Sequence, residues 1–330
     1  MREITNFIKS IFIFIFVCLI FVIATFMNNK LSKPYADVSL SVPITMEGTL
    51  TADKLDSSFD DTVIYRDNNI NSDLFGDCYY ALLVNETDKY AYASKNVFKR
   101  MYPASMTKLM TAIVVLDSVK SGQISLDDTV TVSNHYDLSA EGGGVNELGI
   151  GSQITVKDLL YTLLIKSNNY YALILADYVA GSEQAFVELM NQKAKSIGAT
   201  NTHFANPHGL DNVDHYTTAY DIYLIIKEAY SYDVIKDIDT NQTYSYTYYN
   251  SNGNPIYVDI EATNYFISGG AKLPSNFEIK VWKTGTTDGA GNCLAMYLTK
   301  DGKDYVMVAS CGESKPVLYD AIVTMLCLVN

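Results

Sequence analysis

The chain has 330 residues, 48% of them hydrophobic, enough to build one large domain or two small ones around a real core. Its formal net charge of −13 argues against nucleic acid as a partner. Five cysteines without C-x-x-C or zinc spacing, and four histidines without H-E-x-x-H, disfavour a metal-dependent hydrolase.

Residues 1–10 carry Arg2 and Lys9, and Ile11 to Met27 is uncharged and almost wholly apolar. That pattern is a signal sequence or a short membrane anchor. No small-x-small cleavage site follows Met27 closely, so residues 1–27 are expected to stay as an anchor with the rest outside the cytoplasm. Residues 28–75 are polar and rich in Asp, and read as a spacer with one short strand near Val63-Ile64-Tyr65. A folded domain is expected over residues 76–330.

Tyr79 to Val84 reads as a strand, Asn85 to Asp88 as a turn and Lys89 to Ala93 as a returning strand. Pro103-Ala104-Ser105 then opens a helix, with Ser105 as its cap. Met106, Leu109, Met110, Ile113 and Leu116 recur at helical spacing. The helix ends at Lys120-Ser121-Gly122. Short strands and turns follow to 154, with Asp137 and Glu141 in solvent. Val156 to Lys166 is a helix, Ser167-Asn168-Asn169 a polar break, and Tyr170 to Val179 the resumed helix. Glu183 to Ile197 is amphipathic, His203 to Leu210 is a loop, and Thr217 to Tyr230 is a helix capped by Thr217 or Thr218. A hairpin turns at Asn252-Gly253, and its tyrosine-rich arm Tyr244 to Tyr249 reads as an exposed strand. Ile279 to Lys283, Leu294 to Thr299 and Tyr305 to Ser310 are strands, and Pro316 to Val329 closes the chain as a helix. Cys18 falls in the apolar N-terminal segment. Cys78, Cys293, Cys311 and Cys327 sit in apolar surroundings and read as buried free thiols, with a disulfide left open.

Strands thus lie at both ends of the folded region and helices in the middle. This predicts an α/β (α+β) fold: one antiparallel sheet from N- and C-terminal strands, flanked by helices, with an inserted helical lobe. Chemistry would sit where lobe meets sheet. Three motifs can converge there. Ser105 and Lys108 share one face of a first helical turn, so a neutral Lys108 can take the serine's proton. Ser167 and Asn169 can both project from the break between helices. Lys283-Thr284-Gly285-Thr286-Thr287 ends an apolar strand, where Gly285 leaves room for a ligand backbone and Lys283 and the Thr hydroxyls suit a carboxylate. Single matches are cheap: Ser94-Lys95-Asn96 also fits Ser-x-Asn at a strand end, and Lys120-Ser121-Gly122 fits Lys-Ser/Thr-Gly at a helix end. What discriminates is the order of all three motifs, each in its structural context.

In that order the sequence resembles the penicillin-recognising serine enzymes, of β-lactamase/transpeptidase-like fold. Residues 78–111, Gly122 to Asp128, Leu159 to Ser182, Phe186 to Leu210 and Lys283 to Leu294 are similar to the low-molecular-mass D-alanyl-D-alanine carboxypeptidases. So are Asn206-Pro207-His208-Gly209-Leu210 and Thr217-Thr218-Ala219-Tyr220-Asp221. The resemblance implies a peptidoglycan stem peptide ending in D-Ala-D-Ala as substrate and β-lactams as covalent inhibitors, with no metal or organic cofactor. It implies Ser105 as nucleophile, Lys108 as base and Ser167 as proton relay. Asn169 would bind the substrate amide, and Lys283, Thr284, Gly285, Thr286 and Thr287 would line the carboxylate subsite. Backbone N–H groups of Ser105 and Thr286 would form the oxyanion hole.

Two residues depart from the family pattern Ser-Gly-Asn-Asp: Asn168 replaces Gly and Tyr170 replaces Asp, which predicts a bulkier cleft wall. The rival readings are a β-lactamase and a non-catalytic, membrane-tethered wall-binding or β-lactam-sensing protein. The first is disfavoured because no Glu lies between Thr200 and Asp221 to activate a deacylating water. His208 is expected to be a loop hydrogen-bonder rather than a base.

Overall fold

The computed structural model describes residues 70–139, 142–144, 147–312 and 314–329. The expected anchor at 1–27, the strand near Val63, Cys18 and Glu141 lie outside the described residues. Among the described residues no helix is long and apolar enough to cross a membrane.

Residues 70–75, ahead of the expected domain, pack on it. Ile70 exchanges hydrogen bonds with Ser94, and a 3-10 turn at Ser72–Phe75 buries Phe75. Strands β1 (Cys78–Asn85) and β2 (Tyr90–Lys95) form the expected hairpin, its turn closed by Asp88 N–H donating to Asn85 Oδ1 at 2.8 Å. A 3-10 turn at Ala104–Met106 leads into α1 (Thr107–Lys120). Ser105 does not cap this helix. The cap position falls to Met106, with no side-chain hydrogen bond, which leaves the Ser105 hydroxyl free for another partner. Residues from Thr107 through Leu116 are all buried, so α1 is covered on every side. Gly122 follows it in the left-handed conformation, as a helix end favours.

Short strands β3 (Thr129–Thr131) and β4 (Gln153–Thr155) precede α2 (Val156–Ile165), which Thr155 caps by accepting from Asp158 N–H at 3.0 Å. After the polar break come α3 (Asn169–Ala180), α4 (Glu183–Ser196) and α5 (Ala219–Tyr230). Thr218, of the two candidates, caps α5. These four helices surround α1. A two-turn helix α6 (Asp233–Asp239) was not foreseen. Strands β5 (Thr243–Tyr249) and β6 (Pro255–Glu261) are the expected hairpin. The β5 face is not wholly exposed, however: Tyr246 and Tyr248 alternate inward and are buried, and Tyr246 Oη lies 2.9 Å from Tyr171 Oη. A single helical turn, α7 (Tyr265–Ser268), leads to β7 (Phe277–Thr287), β8 (Gly291–Lys300), β9 (Lys303–Cys311) and the closing α8 (Lys315–Leu326).

The main sheet is antiparallel with strand order β2-β1-β9-β8-β7, so first and last strands share one sheet as expected. A second sheet, β3-β4-β5-β6, edges the helical lobe. Consecutive burial from Asn292 to Leu298 shows that both faces of the main sheet are covered, and α5 and α8 both pack on β8 and β9. β7 is an edge strand of this sheet, which leaves its outer edge to the site.

The cysteine reading needs correction. Cys78 opens β1, Cys311 ends β9, and the two are joined in register by a disulfide across 233 residues. Spacing gives no hint of this pair, because only the neighbouring of β1 and β9 brings it together. Cys293 is a buried free thiol as read, whereas Cys327 is exposed.

Candidate active site

Ser105 is carried on a strained piece of backbone. Ala104 has φ +47°, a conformation that costs an L-residue with a Cβ. Two glycines from distant elements hold it. A Cβ on Gly209 would meet the Ala104 carbonyl oxygen at 2.0 Å, and one on Gly285 would meet Ala104 Cβ at 2.9 Å and Ser105 N at 3.1 Å. The space at Gly285 is therefore filled by the nucleophile's own backbone, not by a ligand's. Thr107 Oγ1 donates to the Ala104 carbonyl at 2.8 Å and lies 2.8 Å from His215 Nε2. His215 Nδ1 accepts from Ala205 N–H at 2.9 Å, so the ring proton is on Nε2 and points at Thr107. Burial pushes His215 down to about 3 and keeps it neutral. Motif spacing gave no reason to single out His215, and its role here is only in positioning.

Lys108 is wholly buried. Its Nζ lies 2.9 Å from Ser105 Oγ, 2.7 Å from Asn169 Oδ1 and 2.5 Å from the His208 carbonyl oxygen. The last two atoms can only accept. A neutral amine has two N–H groups and one lone pair, so donating to those two oxygens turns its lone pair to the Ser105 hydroxyl. Burial first, and the charge of Lys283 second, lower the Lys108 pKa well below the ordinary lysine value. The loop supplying the His208 carbonyl is tied down: Thr111 Oγ1 donates to the Pro207 carbonyl at 2.6 Å, and Asn206 accepts from Gly209 N–H at 2.7 Å. His208 itself accepts from Leu210 N–H at 3.2 Å and is pushed down to about 3 by burial, a neutral loop residue as expected.

The break before α3 does two jobs. Ser167 sits at φ +65°, half-buried, and among the described residues its hydroxyl makes no hydrogen bond. Asn168 caps α3, accepting from Tyr170 N–H at 2.9 Å and Tyr171 N–H at 3.3 Å. Asn169 joins Lys108 through Oδ1 and donates from Nδ2 to the Gly143 carbonyl at 3.1 Å. Tyr170 is buried and donates to the Gly144 carbonyl at 3.1 Å. Both departures from the family pattern are thus helix cap and loop anchor.

On β7, Lys283 is also wholly buried and donates to the Thr284 carbonyl at 3.2 Å. Burial lowers its pKa to about 7, with Asp239 pulling the other way. Thr284 Oγ1 lies 2.6 Å from Thr263 Oγ1, and Thr286, exposed, donates weakly to Asn292 at 3.4 Å. Thr287 has a protein partner: its hydroxyl donates to Asp211 Oδ1 at 2.7 Å, while Asp211 Oδ2 accepts from Gly289 N–H at 2.8 Å. Asp211 directly follows the Asn206–Leu210 loop, and its bond to Thr287 depends on β7 lying beside that loop.

Ser105, Lys108 and Asn169 are joined by direct hydrogen bonds, Gly285 abuts Ser105, and the Lys283 charge acts on Lys108. Among the described residues no group of three or more His, Cys, Asp or Glu is placed to hold a metal ion. The arrangement offers a hydroxyl on an amine lone pair beside a buried cation, which suits acyl transfer to a substrate bearing an anion.

Comparison with known proteins agrees. The sequence profile of the D-alanyl-D-alanine carboxypeptidase family, peptidase S11, matches residues 77–311. The chain belongs to this family. It is 33% identical over 231 residues to the D-alanyl-D-alanine endopeptidase of Escherichia coli (strain K12), covering 69% of each chain. It is 37% identical over 171 residues to the D-alanyl-D-alanine carboxypeptidase DacF of Bacillus subtilis (strain 168), covering 52% of this chain and 43% of that one. With the carboxypeptidase DacC of E. coli (strain K12) the identity is 34% over 223 residues, covering 66% and 52%. The chain thus spans about half the length of these two family carboxypeptidases. The crystal structure of the Streptomyces K15 DD-transpeptidase superposes with a TM-score of 0.69 at 24% identity, over 76% of this chain and 96% of that one, and shows the expected fold.

The two glycines against Ala104 generate a test within the family scaffold. Gly122→Ala, which meets open space at φ +75°, should cost about 1–2 kcal/mol of backbone strain. Gly209→Ala, with the same handedness plus a 2.0 Å clash, should cost at least twice as much in denaturant melts. Equal losses would show that Gly209 does not brace the nucleophile.

Proposed function

We propose that the protein is a serine-type D-Ala-D-Ala carboxypeptidase that removes the terminal D-Ala from peptidoglycan stem peptides through an acyl-enzyme. The observation that carries this reading is the Lys108 amine, dry, with two carbonyl acceptors at 2.7 and 2.5 Å and the Ser105 oxygen at 2.9 Å.

Ser105 Oγ attacks the carbonyl between the two D-Ala residues as its proton passes to Lys108 Nζ. The oxyanion is met by the N–H groups of Ser105 and Thr286, a contribution of about 3 kcal/mol per donor. On collapse the C–N bond breaks, and the leaving amine takes a proton relayed by the Ser167 hydroxyl, which has no partner among the described residues to compete for it. Water then hydrolyses the ester. Asn169 faces the substrate amide. Lys283, with Thr284 and Thr286, receives the terminal carboxylate, and Thr287 acts through its bond to Asp211. β-Lactams, which carry an equivalent carboxylate, acylate the same Ser105. A non-catalytic wall-binding role drew its support from Asn168 and Tyr170, and the cap and loop bonds these residues make remove that support.

We also infer that residues 1–27 anchor the protein in the bacterial cell membrane with the peptidase domain outside. The Cys78–Cys311 disulfide supports an oxidising compartment. N-terminal sequencing of protein from cells should recover residues 1–27, whereas a mature chain starting near Asp37 would make them a cleaved signal.

Catalysis needs the two lysines in opposite states. Lys108 must be neutral, so the rate falls as pH drops through its lowered pKa. Lys283 must be charged, so ligand capture falls as pH rises through about 7. The second-order rate of β-lactam acylation should therefore be bell-shaped in pH. Ser105→Ala should abolish labelling, and Lys108→Arg, which cannot release a proton, should cut it at least about a hundredfold. Lys283→Gln should move the acidic limb upward, since Lys108 regains proton affinity. Robust acylation of Lys108→Arg would exclude Lys108 as base.

A further inference from the structure

The last residue of α6, Asp239, is wholly buried behind the carboxylate-binding strand. Its Oδ2 accepts from Trp282 N–H at 2.8 Å, and the Trp282 indole N–H donates to the Asp239 carbonyl at 2.8 Å. This double clamp grips β7 just past the register slip between Ile279 and Val281, and one residue before Lys283. Asp239 Oδ1, also buried, has no hydrogen-bond partner among the described residues. Lys283, wholly buried, has three N–H groups when charged, and its one hydrogen bond goes to the Thr284 carbonyl. A buried carboxylate with a spare oxygen thus lies behind a buried ammonium with spare protons, and the two do not meet in a direct ion pair. The groups facing Lys283 are Asp239 from α6, Lys108 from α1, and the uncharged Trp282 and Thr284 of its own strand. Lys108 is neutral in the competent enzyme, so Asp239 is the acidic group acting on Lys283.

We propose that Asp239 is a positioning residue for the carboxylate subsite: it fixes the Trp282–Lys283 backbone and supplies the buried negative charge that keeps Lys283 cationic until a ligand carboxylate arrives. This rests on Lys283 being the carboxylate receptor. Burial by itself drives Lys283 toward the neutral amine, and Asp239 opposes that. Burial likewise pushes Asp239 up, while the Trp282 N–H bond and the Lys283 charge pull it down. Each therefore holds the other's charge in a place where neither would ionise alone. An arriving carboxylate gives Lys283 a second anion and strengthens proton binding by the pair, so ligand capture takes up protons above neutral pH.

Asp239→Asn tests this, since its amide oxygen can still accept from Trp282 N–H while the charge is gone. The readout is the acylation rate against pH for a penicillin with a free carboxylate and for its methyl ester. The wild type should prefer the free carboxylate, with a preference that fades as pH rises through about 7. In Asp239→Asn the alkaline limb should move down by roughly one unit and the preference at neutral pH should fall about five- to tenfold, with the ester rate within about twofold of wild type. An unmoved limb and an unchanged preference in folded Asp239→Asn protein would overturn the role of Asp239 while leaving Lys283 as receptor. A wild type with no preference for the carboxylate would overturn both. Should Asp239→Asn fail to fold, Asp239→Ser, whose hydroxyl oxygen can also accept from Trp282 N–H, is read in the same way. A downward shift of its alkaline limb with a reduced carboxylate preference supports the proposal, and a limb and preference matching wild type overturn it.

Discussion

An amine removed from water must find every hydrogen-bond partner in the protein, and Lys108 is such an amine. Its partners come from three separate stretches: the turn before α1, the start of α3, and the loop ending at Leu210. If any one moves, the lone pair no longer faces Ser105. The rest of the structure follows from holding those stretches together. The helical lobe surrounds α1 so that Lys108 stays dry, and the main sheet brings β7 against Ser105. Dryness also sets the electrostatics, because desolvation disfavours the ammonium and holds Lys108 well below the ordinary lysine value.

Close approach has local consequences. Ala104 and Ser167 both adopt left-handed backbone, at a cost of about 1–3 kcal/mol each. Both flank the reacting groups. The strain at Ala104 is braced by Thr107 and His215 from within and by Gly209 and Gly285 from without. Two buried lysines so close would repel if both were charged. Their surroundings differ: Lys108 has carbonyl oxygens, which tolerate a neutral amine, and Lys283 has Asp239 behind it, whose charge pulls its pKa up against burial.

What could be read from the sequence was whatever depends on neighbours along the chain. Helical spacing after Ser105, the polar break at Ser167 and the Gly122 helix end are local, and each was found. The sheet of first and last strands followed from where apolar runs fall. The three motifs pointed to Ser105, Lys108, Asn169 and Lys283 by residue type and order, and the structure brings these residues together. Contributions that depend on a partner far along the chain escaped. Nothing near Cys78 announces Cys311, nothing near Asp239 announces Lys283, and His215 gains its role only once α1 lies beside it. Ser105 looked like a cap because Pro-Ala-Ser starts helices locally, and it was released from that task by the 3-10 turn. Tyr246 and Tyr248 looked exposed because a run of tyrosines does not reveal which face the lobe covers. Asn168 and Tyr170 looked like obstacles, and only the helix they cap and the loop they hold explain them.

The central claim is that Lys108 is a neutral amine in the resting protein. The side-chain nitrogen of Lys108 can be observed by NMR in the wild-type protein and assigned by its disappearance in Lys108→Arg. The account predicts an uncharged amine at neutral pH, with Lys283 still cationic below about 7. A Lys108 ammonium persisting across the pH range in which the protein is acylated would contradict it.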